Sequence, residues 1–214
     1  MSRNKYPEET KQLIIDVATE LFMTNGYEKT SLQDIINHLG GLTKGAIYHH
    51  FQSKDAILYA VVSHICKDNE FRMAAIRDDT SLTGKERLEK MFSDSLQNPN
   101  QKDVFAVTPN LLDNPTFLSY YIKMVVSETV PCYILPAIKT GVADGSITTL
   151  YPEELADIIM FLSDIWLNPL IFHMTAEQLT RKAKLLNQMM CPFGLKILSD
   201  DLIMRFTQFQ TVNE

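Results

Sequence analysis

The stretch from Thr30 to Leu58, TSLQDIINHLGGLTKGAIYHHFQSKDAIL, decides the fold. Leu32, Ile35, Ile36 and Leu39 recur at steps of three and four, the spacing of one face of a short helix. Thr30-Ser31-Leu32-Gln33 reads as a capping box, Thr30 capping the new helix and Gln33 reaching back. Gly40-Gly41 breaks that helix after about two turns. Thr43 is placed to cap a third helix holding Ile47 and Phe51, and Ser53 to cap a fourth that starts at Lys54. Two short helices joined by a glycine turn form a helix-turn-helix, in which the first braces and the second lies in the major groove.

Helical spacing continues on both sides. Leu13, Ile14, Val17, Ala18, Leu21 and Phe22 make one stripe, which Asn25-Gly26 ends. Ile57, Leu58, Val61, Val62 and Ile65 make another, and neither Gly nor Pro intervenes before Gly84. Further helices are predicted near 83–97, 101–111, 116–143, 153–172, 176–190 and 199–209, with kinks or breaks at Pro109, Pro131, Pro136 and Pro169. No alternating pattern of convincing length marks a strand. The expectation is an all-α protein, with a three-helix helix-turn-helix domain over residues 1–54 and a larger helical domain over 55–214.

Composition agrees with a folded chain. The 214 residues are 45% hydrophobic and 21% charged, which supplies a core and excludes a mainly disordered chain. The longest uncharged run, Ile165 to Ala176, is 12 residues and holds Asn168, Pro169 and His173. A spanning helix takes about 20 predominantly apolar residues, so no membrane segment is expected. The N-terminal residues lack the apolar core of a secretory signal, and a cytoplasmic location is expected. Cys66, Cys132 and Cys191 lie far apart without a C-x-x-C, which points to reduced thiols. Six basic and six acidic residues cancel over 1–54, so the net charge of −6 belongs to the rest of the chain. Overall acidity excludes indiscriminate coating of nucleic acid but leaves room for a local phosphate-binding patch.

The third helix is that patch. Lys44-Gly45-Ala46-Ile47-Tyr48-His49-His50-Phe51 contains no carboxylate to repel phosphate. Lys44 and Gly45 stand at its amide end, and Gly45 and Ala46 permit close approach of a backbone. Tyr48, His49, His50 and then Lys54 offer donors to phosphate oxygens. The adjacent histidines point about 100° apart on a helix. His38, His64 and His173 add no partner at helical spacing, so neither metal nor cofactor is expected. No G-x-S-x-G, P-loop or dinucleotide fingerprint occurs, and no enzyme activity is expected. Asp157 and Asp164, seven apart on one predicted helix, read as solvated surface, as do Glu153 and Asp157.

Ala18-x-x-Leu21-Phe22, Asn25-Gly26-Tyr27, Thr30-Ser31, Asp34-Ile35 and the run from Lys44 through Phe51, Ser53-Lys54-Asp55 and Ile57-Leu58 stand in order over roughly residues 9–65. By these marks the sequence resembles the TetR family of transcriptional regulators. The resemblance implies a homodimer with two DNA-reading heads on a palindromic operator, and larger helical domains that hold a small molecule and dimerise through their last helices. It implies repression relieved by that molecule. It places Thr30, Ser31, Tyr48, His49 and Lys54 at phosphate-contacting positions, and Thr43, Lys44, Gly45 and Ala46 at the start of the recognition helix. Leu39-Gly40-Gly41-Leu42-Thr43 is one residue longer than the turn common in the family, which shifts or rotates the recognition helix against its brace. The alternatives are a helical ligand carrier or enzyme with a vestigial head, and a regulator governed by a protein partner.

Aromatic and flexible residues on the middle helices are the candidates for an effector site: Phe105, Tyr120, Tyr121, Met124, Trp166 and His173. Between Val104 and Trp166 the only basic residues are Lys123 and Lys139, which favours a neutral or cationic apolar molecule over an anion. Leu155, Ile158, Ile159, Leu162, Ile165 and Trp166 form one apolar stripe, and Leu179, Ala183, Leu186 and Met190 a near-heptad seam. Two such helices per subunit make an intersubunit four-helix bundle, or else close the subunit's own core.

Overall fold

The computed structural model describes residues 7–98 and 100–204, and every regular element among them is helical. In order these are α1 (Pro7–Asn25), α2 (Leu32–His38), α3 (Lys44–His50), α4 (Lys54–Asp78), α5 (Gly84–Leu96), α6 (Gln101–Val107) and α7 (Pro115–Met124). A π-helical stretch (Val125–Ile134) leads into α8 (Leu135–Asp144). Then come α9 (Pro152–Met160), a second π-helical stretch (Phe161–Trp166), α10 (Ala176–Met190) and a single 3-10 turn (Cys191–Phe193). Residues 200–204 are helical, and the remainder of the helix predicted to 209 lies outside the described residues. Among the described residues no helix is long and apolar enough to cross a membrane.

The chain forms two compact units. One comprises residues up to Lys67 together with Lys102–Phe117, the other Asp68–Gln101 together with residues from Leu118 onward. In the first, Ile14, Ala18, Phe22, Ile35, Ile47, Ile57, Leu58 and Val61 lose all solvent exposure, so the predicted apolar faces of α1 to α4 are turned inward, except that Leu13 of the α1 stripe is 45% exposed. Each such large side chain contributes about 1.5–3 kcal/mol, which fixes short helices that would not hold alone. Phe22 meets Tyr27 edge to face at 5.3 Å and closes the turn after α1.

The cap of α2 sits one residue later than predicted. Ser31 is the N-cap, accepting from the Asp34 amide at 3.1 Å while the Asp34 carboxylate accepts from the Ser31 N–H at 2.7 Å. Thr30 is instead buried. Thr43 caps α3, accepting from the Ala46 amide at 3.2 Å, and Ser53 accepts from the Ala56 amide at 3.1 Å, as the sequence predicts.

The second unit's core runs from α5 through α8, α9 and α10, including Leu88, Met91, Ala137, Ile138, Leu155, Ile159, Leu179, Ala183, Leu186 and Met190. α5 and α8 approach closely because Gly84 and Gly141 lack side chains. A Cβ on Gly84 would collide with the Gly141 amide nitrogen and the Ala137 carbonyl oxygen. The buried members of the predicted dimer stripe and the near-heptad seam thus close the subunit's own core. The apolar side chains that α9, the stretch after it and α10 leave outside are Ile158 (49% exposed), Phe161 (63%), Leu185 (47%) and Met189 (43%).

Helices end before Pro109 and Pro169 as expected, but not at Pro131 or Pro136. Helix runs unbroken from Pro115 to Asp144, and Pro131 lies inside its π-helical stretch, where wider turns accommodate a residue with no N–H. Pro136 occupies the first turn of α8, where its missing donor costs nothing. α6 ends at Val107, short of Pro109, rather than at 111. The helix predicted over 153–172 stops at Trp166, before Asn168-Pro169, because the residue preceding a proline is driven from helical geometry.

Candidate nucleic-acid interface

α3 is held by one face and open on the other. Ile47 is wholly buried and the C-cap Phe51 nearly so, four residues on, where its amide donates to the Ile47 carbonyl at 2.8 Å. Lys44, Gly45, Tyr48 and His49 therefore stand exposed on the opposite face, Tyr48 at 38%, with Thr43 exposed beside them and Ala46 half-buried. The Lys44 ammonium lies 5.7 Å from the centre of the Tyr48 ring. A Cβ on Gly45 would meet nothing nearer than the Thr43 hydroxyl at 3.8 Å, so the surface there is unobstructed. His50 turns inward, its Nε2 buried, which leaves His49 as the outward member of the pair.

The longer turn before α3 is absorbed by glycine. Gly40 has φ +59° and Gly41 φ +106°, conformations that other residues adopt only with strain. The Thr43 hydroxyl accepts from α3 and keeps its own O–H to donate.

Three expected phosphate partners are engaged within the head. The Thr30 hydroxyl donates to the Gly26 carbonyl at 2.9 Å and lies 3.3 Å from that of Leu21, with the side chain almost wholly buried. It ties the α1–α2 turn rather than meeting a ligand. The Ser31 O–H donates to the Asp34 carboxylate at 2.6 Å, which holds that carboxyl below the usual range. Lys54 donates to the carbonyls of Tyr27 at 2.9 Å and Thr30 at 3.0 Å, with its ammonium 3.9 Å from the Tyr27 ring centre. One of its three N–H groups remains for an anion.

Asp55 stands at the second position of α4. It accepts from the Tyr27 O–H at 2.6 Å and from the Asn114 amide at 3.0 Å. Burial, then the neighbouring Asp55, pushes the Tyr27 hydroxyl well above its ordinary pKa. Nearby, the rings of Tyr59 and Phe117 stack at 5.5 Å. Tyr27, Lys54, Asp55 and Asn114 thus clamp the start of α4 to the turn that precedes α2. Only the fold brings Asn114 there, 59 residues from Asp55.

The candidate effector residues divide between the units. Phe105 is on α6 in the first, half-buried; Tyr120, Tyr121 and Met124 lie half-buried on α7 in the second. Trp166 ends the second π-helical stretch and packs against that unit's core, while His173 is exposed in the following loop. Two residues outside the predicted set join them. Asp164, read as solvated surface, is half-buried: burial pushes its carboxyl up to about 6, and a hydrogen bond from Tyr121 pulls the other way. Lys182 donates to the Trp166 carbonyl at 2.9 Å, with its ammonium 5.0 Å from the Trp166 ring centre and 4.5 Å from that of Phe172; burial lowers its pKa.

A helix-turn-helix head whose second helix is exposed along one uncharged-to-basic face, followed by a separate helical unit, defines the class. Residues 14–61 match the family of bacterial regulatory proteins, tetR family. The chain is 30% identical over 131 residues to the uncharacterized HTH-type transcriptional regulator YerO of Bacillus subtilis, covering 58% of this chain and 44% of that protein. It is 31% identical over 111 residues to the HTH-type transcriptional repressor Rv1474c of Mycobacterium tuberculosis, covering 50% and 54%. The chain thus spans about half the length of the curated relatives it matches. The crystal structure of a putative transcriptional regulator from Saccharomonospora viridis in complex with choline shares the fold, with TM-score 0.59 and 23% identity over 84% of this chain and 94% of that one. Over residues 14–61 the chain is similar to the tetR family of bacterial regulatory proteins.

Proposed function

We propose that this chain is a cytoplasmic transcriptional repressor that binds a palindromic DNA site as a homodimer and leaves it when a small, largely apolar molecule enters the helical domain. Residues 1–54 carry DNA binding, and 55–214 carry effector binding and dimerisation. The observation that carries the reading is α3 itself: buried through Ile47 and Phe51, it offers Lys44, Gly45, Tyr48 and His49 outward with no carboxylate among them. Lys44 and Tyr48 supply phosphate contacts, Thr43 donates its free O–H, and Gly45 with Ala46 admits base edges at the start of the helix. Two copies of α3 in one dimer, one helical turn or about 34 Å apart, require the two-fold site.

Ile158, Phe161, Leu185 and Met189 provide the dimer face, since large apolar side chains left outside a core favour a second copy. The choline held by the Saccharomonospora viridis protein supports reading this fold's helical domain as a receptor for small molecules. The test is a gel shift with the DNA upstream of the protein's own gene. Specific retardation that weakens steeply with salt is expected, and Lys44→Ala with Tyr48→Phe lowers affinity by about tenfold or more. Unchanged affinity in that pair, or a binding constant indifferent to salt, overturns the assignment of α3.

A further inference from the structure

Leu39-Gly40-Gly41-Leu42 joins α2 to α3 as a tight turn, the Leu42 amide donating to the Leu39 carbonyl at 3.4 Å. Both central residues have positive φ, +59° at Gly40 and +106° at Gly41, the turn form that paired glycines supply. A helix that ends through a left-handed glycine ordinarily returns the amides that follow to its own last carbonyls. Here it does not. The Leu39 amide takes the Ile36 carbonyl at 3.2 Å, and among the described residues the Gly40 and Gly41 amides donate to no carbonyl or side chain. Two of the carbonyls that would repel an anion at this helix end are occupied, that of Ile36 by Leu39 and that of Leu39 by Leu42.

The two free donors are arranged to act together. Leu39 at φ −87° and ψ 16°, followed by left-handed Gly40, is the order of conformations in which successive amides line one concavity and take an anion. Both glycines are exposed, and a Cβ built on either meets nothing within 4 Å, so the space beside the turn is open. From Ile35 to Lys54 the sequence has no carboxylate, although the chain as a whole is acidic. Thr43 and Lys44, two and three residues beyond Gly41, are exposed and bring an O–H and an ammonium. Amide donors in the open, with acids kept away and a cation following, suit an anion.

We infer that the Gly40 and Gly41 amides form a binding site for a phosphate group, that of the DNA backbone at the edge of the groove which α3 enters. The inference rests on the reading of α3 as the groove helix and adds to it a contact made by main chain alone. A phosphodiester presents two unesterified oxygens to the two N–H groups, and such a contact fixes the register of the head without reading bases. The residue by which this turn exceeds the length common in the family thus supplies a donor, besides displacing α3.

The first test uses nitrogen-15-labelled full-length protein and follows its glycine amides by NMR during titration with inorganic phosphate, against chloride at matched ionic strength and pH. Saturable downfield movement of Gly40 and Gly41 is expected with phosphate and not with chloride. Gly26 and Gly194 also have positive φ, but their amides already donate to the Phe22 and Cys191 carbonyls, so their resonances stay in place. The second test compares Gly40→Asn with Gly40→Asp, side chains of equal size that both enter the left-handed region and fit the open space. On the DNA upstream of the protein's own gene, Gly40→Asp binds about tenfold or more weakly than Gly40→Asn, and the gap narrows as salt rises. Glycine amides indifferent to phosphate, or equal affinity of the two variants, overturn the inference. Phosphate shifts without DNA binding by the unaltered protein keep the anion site and refute the operator reading; DNA binding with unmoved Gly40 and Gly41 amides does the reverse.

Discussion

Replacing Asp164 by Asn is expected to stabilise the protein at neutral pH, and the size of the gain follows from the carboxyl's displacement. Its pKa is held at about 6 in the folded chain against an ordinary 3.8, chiefly by burial. Each pK unit is worth about 1.4 kcal/mol, so ionisation in the folded state costs on the order of 3 kcal/mol, an upper bound because the carboxylate keeps some accessible surface. The unfolded chain releases this proton near pH 4 and the folded chain near pH 6. Between those values the folded state binds more protons, so this group's contribution to stability falls as pH rises through that window. Asparagine pays no such penalty and still accepts from Tyr121. Chemical denaturation of both proteins, at one protein concentration, should show equal stability near pH 4 and a gap of up to about 3 kcal/mol in favour of Asp164→Asn at pH 7.5. Asp34, Glu86 and Asp144 are displaced the opposite way by hydrogen bonds and lose stability on acidification, but they are common to both chains and cancel in the difference. A variant less stable at pH 7.5, or a gap that does not change with pH, refutes the placement of Asp164 away from solvent.

Other substitutions separate structural from functional roles. Gly84→Ala drives a methyl group into the backbone of α8 and is expected to destabilise the second unit by about 3 kcal/mol or more, seen as early melting; an unchanged melting temperature contradicts the close α5–α8 approach. Lys54→Met removes two hydrogen bonds to carbonyls and should lower head stability by about 2 kcal/mol along with DNA affinity. Loss of DNA affinity without loss of stability would instead give Lys54 a purely phosphate-binding role. Phe161→Glu with Leu185→Glu should convert the proposed dimer to monomer in sedimentation, both residues being exposed already in the single chain; a persistent dimer places the interface elsewhere.

Local periodicity was sufficient wherever one turn of helix determined the outcome. Ile47 and Phe51 repeat at a single helical interval, Thr43 precedes a helix with a hydroxyl, and both features survive folding unchanged. The start of α2 was less legible because two overlapping capping boxes compete, Thr30 with Gln33 and Ser31 with Asp34. Tertiary structure decides between them: the carbonyls of Leu21 and Gly26 take the Thr30 hydroxyl inward and leave Ser31 to cap. Lys54 poses the same difficulty. A basic residue at the first turn of α4 reads as a phosphate ligand, and only the folded chain reveals the carbonyls of Tyr27 and Thr30 beside its ammonium.

Asp164 departs from the periodic expectation for a different reason, its helical pitch. Two carboxylates seven residues apart share a face only if every residue turns by the same angle. Asp157 lies on α9 in ordinary α-helix and is exposed, but from Phe161 the backbone passes to the wider register, in which more residues complete each turn. The rotation therefore lags, and Asp164 is carried off the face that Asp157 occupies. Of the predicted dimer stripe, Leu155 and Ile159 are in the core, Leu162 and Trp166 pack against it, and Ile158 is left exposed. A constant-pitch pattern drawn from sequence cannot register such a change, because no proline or glycine within Phe161–Trp166 announces it. The consequence is chemical: the acid on the regular helix, Asp157, stands in water, while Asp164 is half-buried with a hydrogen bond from Tyr121.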